Sequence, residues 1–232
     1  MFLLNKNELK NNRIGEKAII GVNVRIGNFC TIENDVISGN PQDLKYRGEN
    51  TLLEIGNNTI IREFVTINKG TSSKGKTIIG SNNLIMSNAH IGHDCSIGDN
   101  CIIGFSVGMA GEVVVSDWVN ISGLTAIHQF SIIGEHSMIS GLSRVVKDVP
   151  PYITAGREPL SYVGLNSIGL KRRSFEIEKI DELKAIYSIL FQEKRNTTLA
   201  LKLIEDSFEQ TVERDKIIDF VKSSKRGIIK GF

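Results

Sequence analysis

The chain has 232 residues, 41% of them apolar and 23% charged, with a formal net charge of +2. That balance excludes a disordered or fibrous polymer and gives no broad electrostatic footprint for nucleic acid or an anionic membrane. Three cysteines, Cys30, Cys95 and Cys101, lack the paired spacing of a zinc site or disulfide framework, which fits a reducing, cytoplasmic compartment.

At the start, the only apolar run is Phe2-Leu3-Leu4. It is too short for a signal-peptide core or a membrane span, so no integral membrane association is expected. From Ile14 the aliphatic residues recur every six positions: Ile14, Ile20, Ile26 and Ile32, then, after an interval of 23, Ile55, Ile61 and Ile67. Ser73 fills the missing step inside a Gly/Ser/Lys loop, and the series from Ile79 through Ile91, Ile103, Met109 and Ile127 to Val145 is unbroken. Four positions after the aliphatic residue a small or β-branched one recurs, as at Val65, Ala89, Val107, Val119, Ser131 and Ser143. A unit with two inward side chains cannot bury a core alone, whereas stacked units can, so the repeat predicts a solenoid. Three hexads per coil would stack residues 18 apart, such as His93 and Gly111.

Glycine often follows the aliphatic position, as at Gly56, Gly80, Gly92 and Gly98, and is read as a tight corner that tolerates no Cβ. All three cysteines occupy the small inward position and are read as packing residues. The interval between Ile32 and Ile55 predicts an inserted loop near 38–54, polar enough to reach over an outer face. After Val149-Pro150-Pro151 the hexads stop, as prolines without a backbone donor require. The period then becomes helical through Ile177–Leu190, through Leu199–Phe208 behind Thr198 as cap, and through Ile217–Val221. The division is a mainly β domain over 1–160 and a small helical domain of three helices over 161–232.

Among the four histidines, His136 reads as an ordinary side chain, while His93 stands at an outward hexad position with Asp94 beside it and His90 one corner earlier. A neutral imidazole is the natural general base near neutral pH, and an adjoining carboxylate fixes its tautomer. Gly111, one coil on, offers a backbone N–H that could hold an oxyanion. The competing metal reading is disfavoured because the positions counted as stacking on His93 (Gly75 and Gly111) and on His90 (Gly108) are glycines with no ligand to give.

Taken together, Gln42-Asp-Leu-Lys-Tyr46, Asn88-Ala-His-Ile-Gly-His-Asp-Cys95, Thr125-Ala-Ile-His-Gln-Phe130, Asp148-Val-Pro-Pro-Tyr152 and Gly169-Leu-Lys-Arg-Arg173 resemble the UDP-N-acetylglucosamine 3-O-acyltransferases of lipid A biosynthesis. The likeness runs from about residue 38 to the C-terminus; before that the chain reads as shorter than the family by roughly one coil. It implies a left-handed parallel β-helix, a homotrimer with sites between neighbouring subunits, and acyl carrier protein as donor, with no cofactor. By the same resemblance His93 is the general base, Asp94 its orienting partner and Gly111 the oxyanion donor. Asp43 and Lys45 hold the nucleotide sugar with Gln42 and His90 close by, while His128 and Gln129 lie further along the cleft. Asn166 and Arg172 face the nucleotide end, where a guanidinium suits phosphate. Gly141 matches the position that limits acyl-chain length. Lys171, Arg172, Arg173, Lys225, Arg226 and Lys230 would form a basic patch for an acidic carrier.

Two departures bear on recognition: Glu112 stands where the family has histidine, and Ile168 where it has glutamate. A carboxylate at 112 would favour a positively charged amine acceptor. Three functions therefore follow: the family reaction, a carrier- or coenzyme A-dependent transfer to another nucleotide-linked amino sugar, and a trimer that only binds nucleotide sugars.

Overall fold

The period of six becomes a set of short strands, most of only two residues, such as His90–Ile91 and Gly108–Met109. The computed structural model describes residues 11–191 and 196–231; the Phe2-Leu3-Leu4 run falls outside them. The strands line three parallel sheets, the sides of a left-handed prismatic β-helix. Face one carries nine strands, from Arg13–Ile14 through Ile102–Ile103 to Met138–Ile139 and beyond. Face two carries six, including Thr66–Asn68, His90–Ile91, Gly108–Met109, Ala126–Ile127 and Arg144–Val145, and face three carries six, including Lys76–Ile79, Ser96–Ile97 and Val114–Val115.

Side chains at the aliphatic and small positions of successive coils form one continuous core: Ile91, Ile103, Val107, Val113 and Ile121 are all fully buried. Burying each such side chain stabilises the fold by roughly 1.5–3 kcal/mol before ordering costs. Cys95 and Cys101 belong to the same core and donate to the Ala110 and Ser116 carbonyls at 3.2 and 3.1 Å. Burial pushes both thiols up to about 12, which makes them inert packing residues.

The corners differ from the expectation placed on glycine. The left-handed backbone falls two positions after it, on Asp94 (φ 60°), Glu112 (61°), Phe130 (67°) and their equivalents in other coils. Each costs on the order of 1–2 kcal/mol relative to ordinary backbone, offset by the stacked core on either side. The glycines answer a different need, since neighbouring coils pass too closely there: a Cβ on Gly92 would lie 2.8 Å from the Ala110 carbonyl carbon.

Register explains both interruptions. In the C-terminal coils Ile91 lies beside Met109 and Ile103 beside Ile121, 18 positions apart. Ile26, however, lies beside Ile55, 29 positions on, and Ile55 beside Ile79, 24 on. The first extrusion is the expected loop, although the hexads run on through buried Ser38 before the chain leaves the prism. The second corrects the count through Ser73, which belongs to a loop between the Thr66–Asn68 and Lys76–Ile79 strands and is no step of the coil. Lys69, not Gly75, is therefore the residue that precedes His93 on the ladder.

Pro150-Pro151 does not end the coil either. Val149 bridges to Ile133, and Ile153–Gly156 joins face one beside Met138–Ile139 before pairing antiparallel with Ser161–Leu165. Four helices follow among the described residues, rather than three: α1 (Ser167–Arg172), α2 (Ile177–Phe191), α3 (Thr197–Ser207) and α4 (Val212–Ser223). Asn196, not Thr198, caps α3, its side chain accepting from the Thr198 N–H. Tyr152 and Lys216 both reach Glu135, and so tie α4 to the prism. Among the described residues no helix is long and apolar enough to cross a membrane.

Candidate active site

His93 and Asp94 occupy the corner between faces two and three. The left-handed backbone at Asp94, a conformation that Asp tolerates better than most residues, turns its carboxylate back onto the preceding imidazole. His93 Nδ1 lies 2.8 Å from Asp94 Oδ2. His93 stands at an outward hexad position yet is only 9% exposed, and Asp94 is buried.

The Gly70–Gly75 loop completes this corner. The Thr71 N–H donates to Asp94 Oδ1 at 2.9 Å and its hydroxyl to Oδ2 at 2.6 Å, while the Asp94 N–H donates to Thr77 Oγ1 at 2.8 Å. Burial opposes ionisation of Asp94, but the hydrogen bonds from Thr71 and His93 outweigh it and hold the carboxyl below its usual range. An ionised carboxylate only accepts, so His93 Nδ1 carries the proton and Nε2 keeps its lone pair. Nε2 faces Gly111, where a Cβ would collide with the ring. Among the described residues the Gly111 N–H has no hydrogen-bond acceptor. A base with a free lone pair and an unused donor thus lie side by side.

They open into a cleft of about 590 Å³ on face two, which also receives Gln42 from the first loop, His90, His128 and Gln129. The 24-residue register sets Thr66 beneath His90, with Oγ1 and Nδ1 2.7 Å apart, and burial lowers the His90 pKa. His128 is exposed, its Nδ1 2.9 Å from the Gln129 carbonyl. Asp43 and Lys45 form a turn beside Gln42, the Lys45 N–H donating to Asp43 Oδ1 at 2.9 Å, and neither lines the cleft. Among the described residues no three His, Cys, Asp or Glu side chains gather as a metal site.

The remaining expected residues lie elsewhere. Asn166 caps α1, accepting from the Gly169 N–H at 3.2 Å and donating to the His136 carbonyl at 2.8 Å. With Arg172, Arg173, Ile168 and Trp118 it lines a second cleft of about 610 Å³ beside face one. Gly141 is exposed at the corner between faces one and two, next to the 77% exposed Leu142, and lines neither of these clefts. Glu112 turns from the cleft to the Gly70–Gly75 loop, with Lys74 Nζ at 3.7 Å and Ser73 Oγ at 3.5 Å. Its carboxylate thus faces a lysine of its own chain. Two of the basic residues are engaged within the chain: Arg173 lies over the Trp118 ring at 5.1 Å, and Arg226 donates to the Val146 carbonyl at 3.0 Å.

Sequence reasoning missed Thr66, Thr71 and Lys74, which surround the histidines, and Asn68 and Arg144, which line the first cleft. The one available signal was the polar Gly70-Thr-Ser-Ser-Lys-Gly75 interruption itself.

Known proteins resemble this chain in sequence and fold. The family described as UDP N-acetylglucosamine O-acyltransferase, domain 2, matches residues 148–229, and the bacterial transferase hexapeptide family matches 76–111. An acyl-[acyl-carrier-protein]–UDP-N-acetylglucosamine O-acyltransferase of Myxococcus xanthus is 42% identical, across 92% of this chain and 81% of its own length. Its counterpart from Burkholderia mallei is 38% identical, across 89% of this chain and 79% of its own. The crystal structure of a UDP-N-acetylglucosamine acyltransferase from Bacteroides fragilis superposes with a TM-score of 0.93 at 47% identity, over 95% of this chain and 87% of that one. By repeat, fold and similarity alike, this chain belongs to the UDP-N-acetylglucosamine O-acyltransferase family.

Proposed function

We propose that the protein transfers a 3-hydroxyacyl group from acyl carrier protein to the 3-hydroxyl of UDP-N-acetylglucosamine, in the cytoplasm, at an early step of lipid A assembly. The observation that carries this reading is the His93 Nε2 lone pair, freed by the Nδ1–H···Asp94 bond and set beside the Gly111 N–H.

In this mechanism Nε2 takes the hydroxyl proton as the sugar oxygen attacks the thioester carbonyl. The Gly111 N–H stabilises the oxyanion of the tetrahedral intermediate. Collapse expels the carrier's sulfur, which receives the proton from the His93 imidazolium, leaving an ester and a free carrier thiol. No step needs a cofactor. Gln42, Asp43, Lys45, His90, His128 and Gln129 position the sugar, and Asn166 and Arg172 the nucleotide. Gly141, at the position that limits acyl-chain length in the family, carries no side chain and leaves room for a longer acyl chain.

The two clefts lie on different faces of one chain, so one copy cannot bring all these residues to one substrate. A homotrimer in which face two of one copy meets face one of the next would unite them. The test is mass-spectrometric detection of acyl-UDP-N-acetylglucosamine from acyl carrier protein thioester and sugar nucleotide. His93→Ala should lose roughly 10²–10⁴-fold in kcat while sedimenting as the wild-type oligomer; near-normal turnover would refute the general-base assignment.

A further inference from the structure

The strongest unused observation is the second extruded loop. The Gly70–Gly75 segment is tied to the base's corner by Thr71 on the Asp94 carboxylate and by the Lys74–Glu112 ion pair, and its two ends bond the Leu52 backbone. Thr71 is buried, and both of its donors go to Asp94. Asp94 Oδ2 also accepts from His93 Nδ1, so one oxygen is shared between the threonine hydroxyl and the imidazole.

We infer that Thr71 is a positioning residue for the transfer reaction: its two hydrogen bonds set the rotamer of Asp94, and through Asp94 the tautomer and basicity of His93. The inference rests on the acyl-transfer reading for its kinetic test only.

Two consequences follow from the geometry. The backbone N–H on Oδ1 blocks rotation of the carboxylate, so Oδ2 stays on the imidazole. The hydroxyl on Oδ2 draws off part of the carboxylate's negative charge and so moderates its pull on the Nδ1 proton. Without the hydroxyl, Asp94 would attract an imidazolium more strongly and His93 would hold a proton to higher pH. Lys74, whose Nζ lies 3.4 Å from the Asp94 carbonyl, the buried Cys95 thiol beside Asp94, Glu112 on the next coil, Lys69 on the preceding one and His90 across the corner are the other titratable groups around the pair. None of their side chains bonds the Asp94 carboxylate.

Thr71→Val removes the hydroxyl and keeps the backbone donor; Thr71→Ser keeps both. For Thr71→Val the expected result is a fall in kcat of roughly 10-fold, part of the 10²–10⁴ that general-base catalysis supplies. The KM for the sugar nucleotide should stay within about 2-fold, and the acid limb of the kcat/KM profile should move to higher pH. Thr71→Ser should restore both. Thr71→Ala serves as a second removal if the valine variant does not fold. A purely structural role would lower the melting temperature and the active fraction and leave the acid limb in place. An unmoved or lowered acid limb, wild-type kcat in the valine and alanine variants, or equal damage by serine and valine would overturn the inference. Histidine 15N NMR separates this failure from failure of the transfer reading, because it needs no substrate. With only four histidines in the chain, the His93 resonances can be assigned by substitution. They should report an Nδ1-protonated neutral ring in the wild type, and a raised titration midpoint in Thr71→Val.

Discussion

The Nε2 edge of His93 lies against Gly111 one coil along, where the backbone leaves no room for a methyl group. Gly111→Ala should therefore act on the histidine, by driving the ring out of line while the alanine N–H remains. Steady-state kinetics should show a loss of roughly 100-fold, within the range set by general-base catalysis. In a His93→Ala background the same change should cost little more, because neighbouring positions that act as a unit are not additive. Full additivity in the double mutant would show that the two residues work separately.

His136 predicts a pH dependence of stability. It stacks between Trp118 and Tyr152, meets Phe175 edge-on, and has Arg173 Nη1 3.3 Å from Nδ1. Burial, helped by the Arg173 charge, lowers its pKa to about 4. An unfolded histidine titrates near ~6.5. Between these values the unfolded chain binds more protons, so stability is complete above the unfolded value and falls as pH drops toward 4. Melting temperatures at pH 7 and pH 5 should differ more for the wild type than for His136→Gln. Parallel curves would place the acid sensitivity elsewhere.

The second cleft can be watched optically. Trp118, the one tryptophan of the chain, lines it together with Arg172 and Arg173. Titration with UDP should change its emission saturably, and Arg172→Ala should weaken binding about 10- to 100-fold, the range for losing a charge-assisted hydrogen bond of about 1.5–3 kcal/mol. Calorimetric binding of UDP without any change in emission would exclude this cleft as the nucleotide site.

The prism was legible because burial imposes a period, and a period survives in the sequence. The 23-residue interval between Ile32 and Ile55 showed as a break, since it is no multiple of six. The Gly70–Gly75 loop shows in composition but not in phase: it adds one whole hexad, so Ser73 keeps the count while the ladder skips it. That error carried Gly75 to a position that Lys69 holds, and concealed Thr66 and Thr71 as neighbours of His90 and Asp94. Adjacency in sequence was enough to pair His93 with Asp94, and one uninterrupted coil was enough to bring Gly111 to them. The orientation of Glu112 was beyond sequence reasoning, because it depends on which lysine the Gly70–Gly75 loop delivers. Helix α1 was missed for its length, as six residues give no helical period to detect.

Both extrusions lie on the N-terminal side of the base, and the backbone from Asp94 to Gly111 runs without one. Length variation in this chain is thereby kept apart from the atoms that react. Residues can be gained or lost around 40–51 while every strand keeps its partner, and what changes is the wall a substrate meets, whereas the loop at 70–75 is tied to the base through Thr71 and Asp94. A single residue added between 95 and 110 would exchange inward for outward side chains along the strands and separate the proton acceptor from the oxyanion donor. Diversification of specificity in such a fold has a place to occur in the first loop, and chemistry has a span that must keep its count.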